Sequence, residues 1–212
     1  MAVAVQTTLP ETSTFVPDVL GREDYRIISE MIDDGSRVLD LGCGRGTLIG
    51  WLEKKKGAQC RGVELSPKKV RTAVAAGLSV YQGDIDSGLA DYPDGAFDYV
   101  ILSQTLQETR QPKNVLHEMM RVGRRAIVAF PNFGHWSSRL ALLRTGRAPK
   151  TEHLPNEWYD TPNIHFVTIP DFEELIKEEQ LKVEKSYFLR RDRRIRFRPS
   201  LCADTAVYLL TK

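Results

Sequence analysis

A short glycine-rich turn between an apolar strand and a helix constrains this chain more than any other feature. The run Val38-Leu39-Asp40-Leu41 predicts a strand, and glycines follow at positions 42, 44 and 46. Glycine lets the backbone bend sharply and lets a ligand approach where a Cβ would collide. The next residues, 47–52, are predicted as a helix, whose first N–H groups favour a negatively charged ligand group. This pattern predicts a nucleotide-type cofactor site at the carboxyl end of the first strand of an open α/β sheet.

The spacing of the turn indicates which cofactor it suits. The dinucleotide fingerprint is G-x-G-x-x-G, and here Thr47 occupies the position of its last glycine. The observed spacing is D-x-G-x-G-x-G, with Asp40 inside the strand. A carboxylate there can accept a hydrogen bond from an ammonium group, such as that of S-adenosylmethionine, and it would repel a pyrophosphate. The turn therefore favours a sulfur nucleotide over a dinucleotide.

Three further strands end close to polar side chains. Residues 60–65 form a second predicted strand with Glu64 near its end, at the distance expected of the acid that binds the ribose hydroxyls of either cofactor. Residues 78–85 place Asp84 and Ile85 after a third strand, and residues 96–103 form a fourth strand that ends at Ser103.

These four motifs, in this order, resemble the class I S-adenosylmethionine-dependent methyltransferases over residues 35–130. The resemblance implies that the glycines wrap the methionine part, Asp40 binds its ammonium, Glu64 holds the ribose, and Asp84 with the Ile85 backbone holds the adenine. The cofactor, S-adenosylmethionine or S-adenosylhomocysteine, would then be bound by Asp40, Gly42, Gly44, Gly46, Glu64, Asp84, Ile85 and Ser103. The implied fold is α/β: a Rossmann-like class I methyltransferase fold with a mostly parallel seven-stranded sheet and helices on both faces.

The length of 212 residues fits one domain. Residues 1–17 are expected to form a loose N-terminal lead-in, and residues 18–212 a single cofactor-binding domain. Apolar residues at helical spacing predict helices over 18–34 and after Pro67, Pro112 and Thr168. A fifth strand is predicted over 125–130, and two closing strands near 182–189 and 202–211.

Residues 133–168 do not fit this alternation and are interpreted as an insertion or lid above the cofactor. The segment holds two of the three tryptophans and three of the four histidines. Long connections of this kind are usually functional. Its His135, His153, Tyr159 and His165 are weak catalytic candidates, since each histidine is more simply explained as a packing or loop residue. Residues 103–107, after strand four, contain no proton acceptor, so the catalytic residues stay unknown. No Cys/His spacing resembles a metal site.

The run Arg190–Arg198 carries six arginines around one acid, Asp192. It is open to three interpretations: a solvated turn between the last two strands, a docking surface for an acidic protein, or a nucleic-acid contact. Phe197 is the only aromatic within the run, which disfavours binding of nucleic acid by base stacking.

Composition indicates a cytoplasmic setting. Three cysteines, an odd number, make a disulfide framework unexpected. No apolar run approaches the ~20 residues of a membrane span. The first seventeen residues lack the basic start and hydrophobic stretch of a secretion signal.

Longer strings resemble one family, the methionine-biosynthesis protein MetW. They are residues 82–86 (QGDID), 101–107 (ILSQTLQ), 124–128 (RRAIV), 130–136 (FPNFGHW) and 157–165 (EWYDTPNIH). The resemblance implies an accessory or regulatory partner of a MetX-type homoserine O-acyltransferase, such as the homoserine O-acetyltransferase, and implies no methyl acceptor. The alternatives are an active methyltransferase on a small molecule, with residues 133–168 as its lid, and a nucleic-acid methyltransferase that uses the arginine run.

Overall fold

Strands and helices alternate from the start of the described chain. The computed structural model describes residues 22–151 and 154–212. The predicted lead-in, the start of the first helix before residue 22, and His153 lie outside these residues.

The secondary structure consists of seven α-helices and eight β-strands within the described ranges. The helices are α1 (Glu23–Met31), α2 (Thr47–Lys56), α3 (Pro67–Ala75), α4 (Pro112–Val122), α5 (Trp136–Thr145), α6 (Ile169–Glu178) and α7 (Pro199–Cys202). The strands are β1 (Arg37–Leu41), β2 (Gln59–Glu64), β3 (Val80–Gln82), β4 (Phe97–Ser103), β5 (Gly123–Pro131), β6 (Lys182–Arg190), β7 (Arg193–Ile195) and β8 (Thr205–Thr211). Two short 3-10 turns, Ile85–Ser87 and Leu106–Glu108, follow β3 and β4.

The strands form one sheet in the order β3-β2-β1-β4-β5-β8-β6-β7. The first five strands pair in parallel, as predicted, and β8, β6 and β7 add to the edge in antiparallel pairing. The order reverses between β2-β1 and β4-β5, which creates the crevice where ligands bind in open α/β sheets. The fold class is therefore confirmed.

The predicted number of seven strands is wrong, because part of the arginine run folds as β7. Arg190 pairs with Arg193 across a two-residue turn. Both turn residues, Arg191 and Asp192, have positive φ angles, 45° and 57°. This geometry matches the twist of a tight hairpin. Sequence reasoning missed β7 because consecutive arginines lack the alternation of apolar and polar residues that marks a strand.

Helices bury apolar side chains on both faces of the sheet. One core layer contains the inner faces of α1 and α2, and the other contains those of α4 and α6. The predicted faces are confirmed, with buried side chains in α1 at Ile27, Ile28 and Met31. Burial of each such side chain contributes about 1.5–3 kcal/mol to the stability of the fold. These layers hold the carboxyl ends of β1, β2 and β4 in fixed relative positions.

Helix α6 begins at its predicted cap. The Thr168 hydroxyl accepts a hydrogen bond from the backbone N–H of Asp171, and Phe172 and Ile176 are buried behind it. Within residues 22–151 and 154–212, no helix has the length and apolar character needed to cross a bilayer.

Candidate cofactor site

A cavity of about 600 Å³ opens at the carboxyl ends of β1, β2 and β4. This volume lies in the range of small-molecule and cofactor sites. Its wall includes five residues of the predicted cofactor set: Gly42, Glu64, Asp84, Ile85 and Ser103. The other three, Asp40, Gly44 and Gly46, lie in the adjoining strand and turn and not on the wall itself. The structure thus gathers the predicted set into one place, and the role of each residue stays a prediction.

The glycine turn adopts a backbone that other residues would strain. Gly42 has φ +70°, and a Cβ there would lie 2.6 Å from the Thr105 side chain. Gly46 has φ +78°, and a Cβ there would lie 2.4 Å from Leu78 Cδ1. Both positions combine a left-handed conformation with close packing, so a side chain at either one is costly. The turn therefore needs glycine here for its own fold, in addition to any ligand contact.

Glu64 is buried at the end of β2, where backbone donors hold its carboxylate. Oε2 accepts a hydrogen bond of 2.9 Å from the Gly44 N–H, and Oε1 accepts one of 2.9 Å from the Ser66 N–H. Lys69 Nζ lies 3.7 Å from Oε1. The carboxylate therefore fixes the glycine turn to β2. A carboxylate can accept about four hydrogen bonds, so it retains capacity to accept from ligand hydroxyls.

Asp40 is the most deeply buried acid beside the cavity, with 3% of its surface exposed. Burial raises the pKa of its carboxyl group to about 8, with a smaller contribution from the negative charge of Glu64. The positive charge of the Arg22 guanidinium lowers the pKa of Asp40 and so offsets part of this rise. A cation placed near Asp40 would favour the ionised carboxylate, because it would supply the counter-charge that burial removes.

Asp84 and Ser103 present polar groups to the cavity on the two sides of β1. The Asp84 side chain accepts from the Asp86 N–H at 2.9 Å, which shapes the 3-10 turn that begins at Ile85. The Ser103 hydroxyl is buried, and no hydrogen-bond partner for it is found within the described part of the chain. Gln104 follows with φ +56°, a conformation that is costly for a residue with a side chain and that clusters at functional sites.

The charge of the wall is negative overall. Four carboxyl side chains line it, those of Glu64, Asp84, Asp86 and Glu108, against the cations Arg22 and Lys69. Such a cavity repels a pyrophosphate and attracts a cationic ligand with hydroxyl donors. These residues suit a cationic nucleoside with an ammonium group better than they suit the pyrophosphate of a dinucleotide.

Sequence reasoning missed several wall residues. Arg22 and Tyr25 belong to the region of α1, and Thr105, Glu108 and Thr109 to the loop after β4. Glu108 follows directly after residues 103–107, which contain no proton acceptor. Burial raises the pKa of its carboxyl group. The 3-10 turn at Leu106–Glu108 brings it to the cavity, which is a geometry that spacing in the sequence does not reveal.

The described residues of the segment 133–168 do not line this cavity, so the expected lid over the cofactor is not found there. His135 borders a different cleft, of about 390 Å³, together with Trp136 and Arg190. Tyr159 is 72% exposed. Among the candidates that the structure describes, His165 lies nearest the cavity wall, since the N–H groups of Ile164 and His165 both donate to the Gln107 carbonyl, at 2.8 Å and 3.0 Å.

Part of the segment folds as helix α5, and no α5 residue lines the cavity. Three of the four catalytic candidates can thus be located, and they do not meet. His165 Nε2 is buried, and within residues 22–151 and 154–212 it has no hydrogen-bond partner.

The arginine run is exposed along its length. Arg194 forms ion pairs with Glu23 and Glu30 of α1 and lies over the Tyr187 ring. This side chain therefore has a structural role, which the interpretation of the run as a solvated turn did not include. Phe197 is 74% exposed, with the Arg198 guanidinium over its ring.

The described residues contain no group of three or more His, Cys, Asp or Glu side chains arranged to hold a metal ion. Cys43, Cys60 and Cys202 are free thiols.

Comparisons with known proteins agree with this geometry. The family profile described as "Methionine biosynthesis protein MetW" matches residues 22–210. The "Bifunctional methionine biosynthesis protein MetXA/MetW" of Rhodopirellula baltica is 36% identical over 211 residues, which cover 93% of this chain and 34% of that protein. The chain spans about a third of the length of the curated relatives it matches first.

Solved structures share the fold at low sequence identity. An S-adenosylmethionine-dependent methyltransferase from Mesorhizobium loti has a TM-score of 0.66 at 17% identity, covering 90% of this chain and 98% of that one. The [4+2]-cyclase SpnF has a TM-score of 0.64 at 15% identity, covering 89% of this chain and 80% of that one. Because a cyclase shares the fold, the fold does not by itself assign methyl transfer.

Proposed function

Because the chain belongs to the MetW family of methionine biosynthesis proteins, we propose that it binds S-adenosylmethionine or S-adenosylhomocysteine and acts as an accessory, regulatory partner of homoserine O-acyltransferase. The complex would form in the cytoplasm. The three free thiols support this compartment, since secreted proteins usually pair their cysteines.

The observation that supports the cofactor is the acidic cavity beside the glycine turn. Glu64 would bind the ribose hydroxyls, Asp84 and the Ile85 backbone the adenine, and Asp40 the ammonium group, with the turn around the methionine part. When bound, S-adenosylmethionine supplies a methyl group on a cationic sulfur that a nucleophile can attack. The excess of carboxyl groups on the wall suits that positive charge.

The observation that supports the partner is the architecture of the relative from Rhodopirellula baltica. Its name joins MetXA and MetW, and this chain corresponds to 34% of its length. Where one polypeptide joins two proteins, the two are held at high effective concentration. We expect the separate chains to associate in the same way.

The cofactor part is tested by calorimetry with S-adenosylmethionine, S-adenosylhomocysteine and NAD. We expect both sulfur nucleotides to bind and NAD to bind far more weakly. Binding of NAD without either sulfur nucleotide would end this assignment.

The partner part is tested by co-expression with a MetX-type homoserine O-acyltransferase, followed by size-exclusion chromatography and a rate measurement of acyl transfer. We expect co-elution and a change in the activity or stability of the acyltransferase. If the proteins neither co-elute nor alter the rate, with and without S-adenosylmethionine, an independent enzyme becomes the better account.

That second candidate is a methyltransferase acting on a small molecule, and Glu108 is the observation that favours it. Its side chain belongs to the cavity wall, and partial burial raises the pKa of its carboxyl group, which is the direction that favours uptake of a proton from an acceptor. Turnover of labelled cofactor with candidate acceptors tests it. We expect Glu108→Gln to lower any turnover and substitutions of the exposed Tyr159 to leave it unchanged. A nucleic-acid substrate is disfavoured, because Arg194 is engaged in ion pairs with α1.

A further inference from the structure

Helix α5 is the least buried helix of its length in the described chain. Of its ten residues, Ser138 is the only one that is buried. A helix of this length is marginal in water without tertiary packing, since its nucleation is costly. Its ends are nevertheless well formed, because the His135 side chain accepts from the Ser137 N–H and Gly146 closes the helix in the left-handed conformation. Helix α5 therefore exposes most of its surface to solvent.

The outward face of α5 is apolar. At roughly 100° per residue, Trp136, Leu140 and Leu143 share the side opposite Ser138, at positions i, i+4 and i+7. Leu143 is 83% exposed, Trp136 is 43% exposed, and Leu140 is partly exposed. Leu142, nearer the Ser138 side, is 50% exposed, so the exposed apolar surface extends beyond this stripe. This spacing is the one by which an amphipathic helix places anchors in the groove of a partner. A lone exposed leucine needs no explanation, but an ordered stripe of three large side chains does.

The charges beside this stripe all have one sign. Arg139 and Arg144 flank it, one on each side, and α5 contains no acidic residue. The Arg139 guanidinium also donates to the Gly134 carbonyl at 2.6 Å, so Arg144 is the flanking cation best placed to meet a partner. Arg147 follows just after the helix and is exposed. These cations complement a groove with an acidic rim and would repel a basic one.

A second exposed aromatic cluster continues the surface. Trp158 and Tyr159 are 73% and 72% exposed and contact each other edge to face, with ring centres 5.6 Å apart. Lys150 links the two areas, since it borders the cleft beside Trp136 and also the cleft beside Trp158. Tryptophan and arginine are the side chains most enriched at interface hot spots.

We propose that the outward face of α5, formed by Trp136, Arg139, Leu140, Leu143 and Arg144, is the docking surface for homoserine O-acyltransferase, and that it enters an apolar groove with an acidic rim on that enzyme. This inference rests on the proposed function, which supplies the partner. The charge of α5 supplies the chemistry of the groove. The joined relative supports a protein occupant, because its name pairs a MetXA part with the MetW part in one polypeptide, which holds the two at high effective concentration.

The experiment compares full-length variants in binding to the purified acyltransferase by surface plasmon resonance. Leu143→Asp places a charge at the most exposed position of the stripe and is expected to weaken binding at least tenfold. The double variant Arg144→Glu/Arg147→Glu is expected to lower the association rate at least tenfold at low salt, with a smaller difference at high salt. The matched control is Val74→Asp, on the exposed side of α3, and it should bind within twofold of the wild type.

Binding of S-adenosylhomocysteine should be unchanged in all these variants, because no α5 residue lines the cofactor cavity. If the wild type binds the acyltransferase and both α5 variants bind equally well, the docking surface is wrong while the proposed function stands. If the wild type does not bind, both are wrong. A wild-type dimer in light scattering that Leu143→Asp converts to a monomer would also overturn the proposal, since the face would then join two copies of this chain.

Discussion

Replacing Asp40 by asparagine tests the electrostatics of the cavity directly. Asp40 lies in β1 and is almost fully buried, with 3% of its surface exposed. Burial and the nearby charge of Glu64 together raise its pKa from 3.8 to about 8. An asparagine has nearly the same shape and cannot ionise, so the substitution removes the titration and keeps the packing.

The sign and size of the effect follow from linkage between protonation and folding. The folded protein holds the Asp40 proton more tightly than the unfolded chain does, so the stability that this group contributes is complete below about pH 3.8 and is lost as the pH rises through about 8. Between these values the free energy of unfolding falls by about 1.4 kcal/mol per pH unit. From pH 5.5 to 7.5, the wild type should therefore lose about 2–3 kcal/mol of unfolding free energy relative to Asp40→Asn.

The assay is urea unfolding of both proteins, without ligand, at pH 5.5, 6.5 and 7.5. Asp98→Asn is the control, because Asp98 pairs with Arg37 and hydrogen bonding lowers its pKa. Asp98 is thus ionised in both folded and unfolded chains over this range, and its removal should give a constant difference. A constant difference for Asp40→Asn as well would refute the account of Asp40 as a buried acid that resists ionisation.

Three further predictions concern the same site. Glu64→Ala should weaken S-adenosylhomocysteine binding at least tenfold in calorimetry. The reason is the loss of the two hydrogen bonds that the ribose hydroxyls would donate to the Glu64 carboxylate, each worth about 1.5–3 kcal/mol. Gly46→Ala should lower the free energy of unfolding, measured in urea, by ~1–3 kcal/mol more than the control Gly57→Ala does. Both glycines have positive φ angles, but a Cβ at Gly46 would collide with Leu78, whereas a Cβ at Gly57 would meet no atom within 4 Å. In hydrogen exchange, S-adenosylhomocysteine should slow the amides of residues 164–165, which donate to the Gln107 carbonyl, and an unchanged rate there would contradict the coupling of that loop to the cavity.

Features that depend on neighbours in the chain could be predicted from the sequence. The glycine turn, the strands of the parallel half and the apolar face of α1 each follow from local spacing, and the structure has them where the pattern puts them. Glu64 was also predictable, because the length of one strand and one helix fixes its distance from the turn. Its hydrogen bond to the Gly44 N–H lies within that single unit.

Features that depend on contacts between distant segments could not be predicted. Arg22 and Glu108 meet the cavity only because the sheet places α1 and the loop after β4 on the same edge. Strand β7 forms from charged residues that pair with β6, and pairing of this kind leaves no periodic signal. The burial of Asp40 depends on the layers packed around it, and so its raised pKa appears only with the fold.

Within the described residues, a short run of hydrogen bonds connects the cavity wall with the segment that carries the proposed docking surface. The loop after β4 contributes Gln104, Thr105 and Glu108 to the cavity wall. Gln107 of the same loop accepts the backbone hydrogen bonds of residues 164–165. Those residues belong to the segment that also carries α5 and Trp158. A ligand that contacts Gln104 or Thr105 would therefore restrict the loop after β4. Because residues 164–165 are hydrogen-bonded to that loop, the segment 133–168 would then lose less conformational entropy when it docks. Because such coupling is reciprocal, an acyltransferase that orders the segment would raise the affinity for the sulfur nucleotide by the same factor. A methyltransferase-like fold can act in this way as a sensor of its ligand, with no methyl acceptor required.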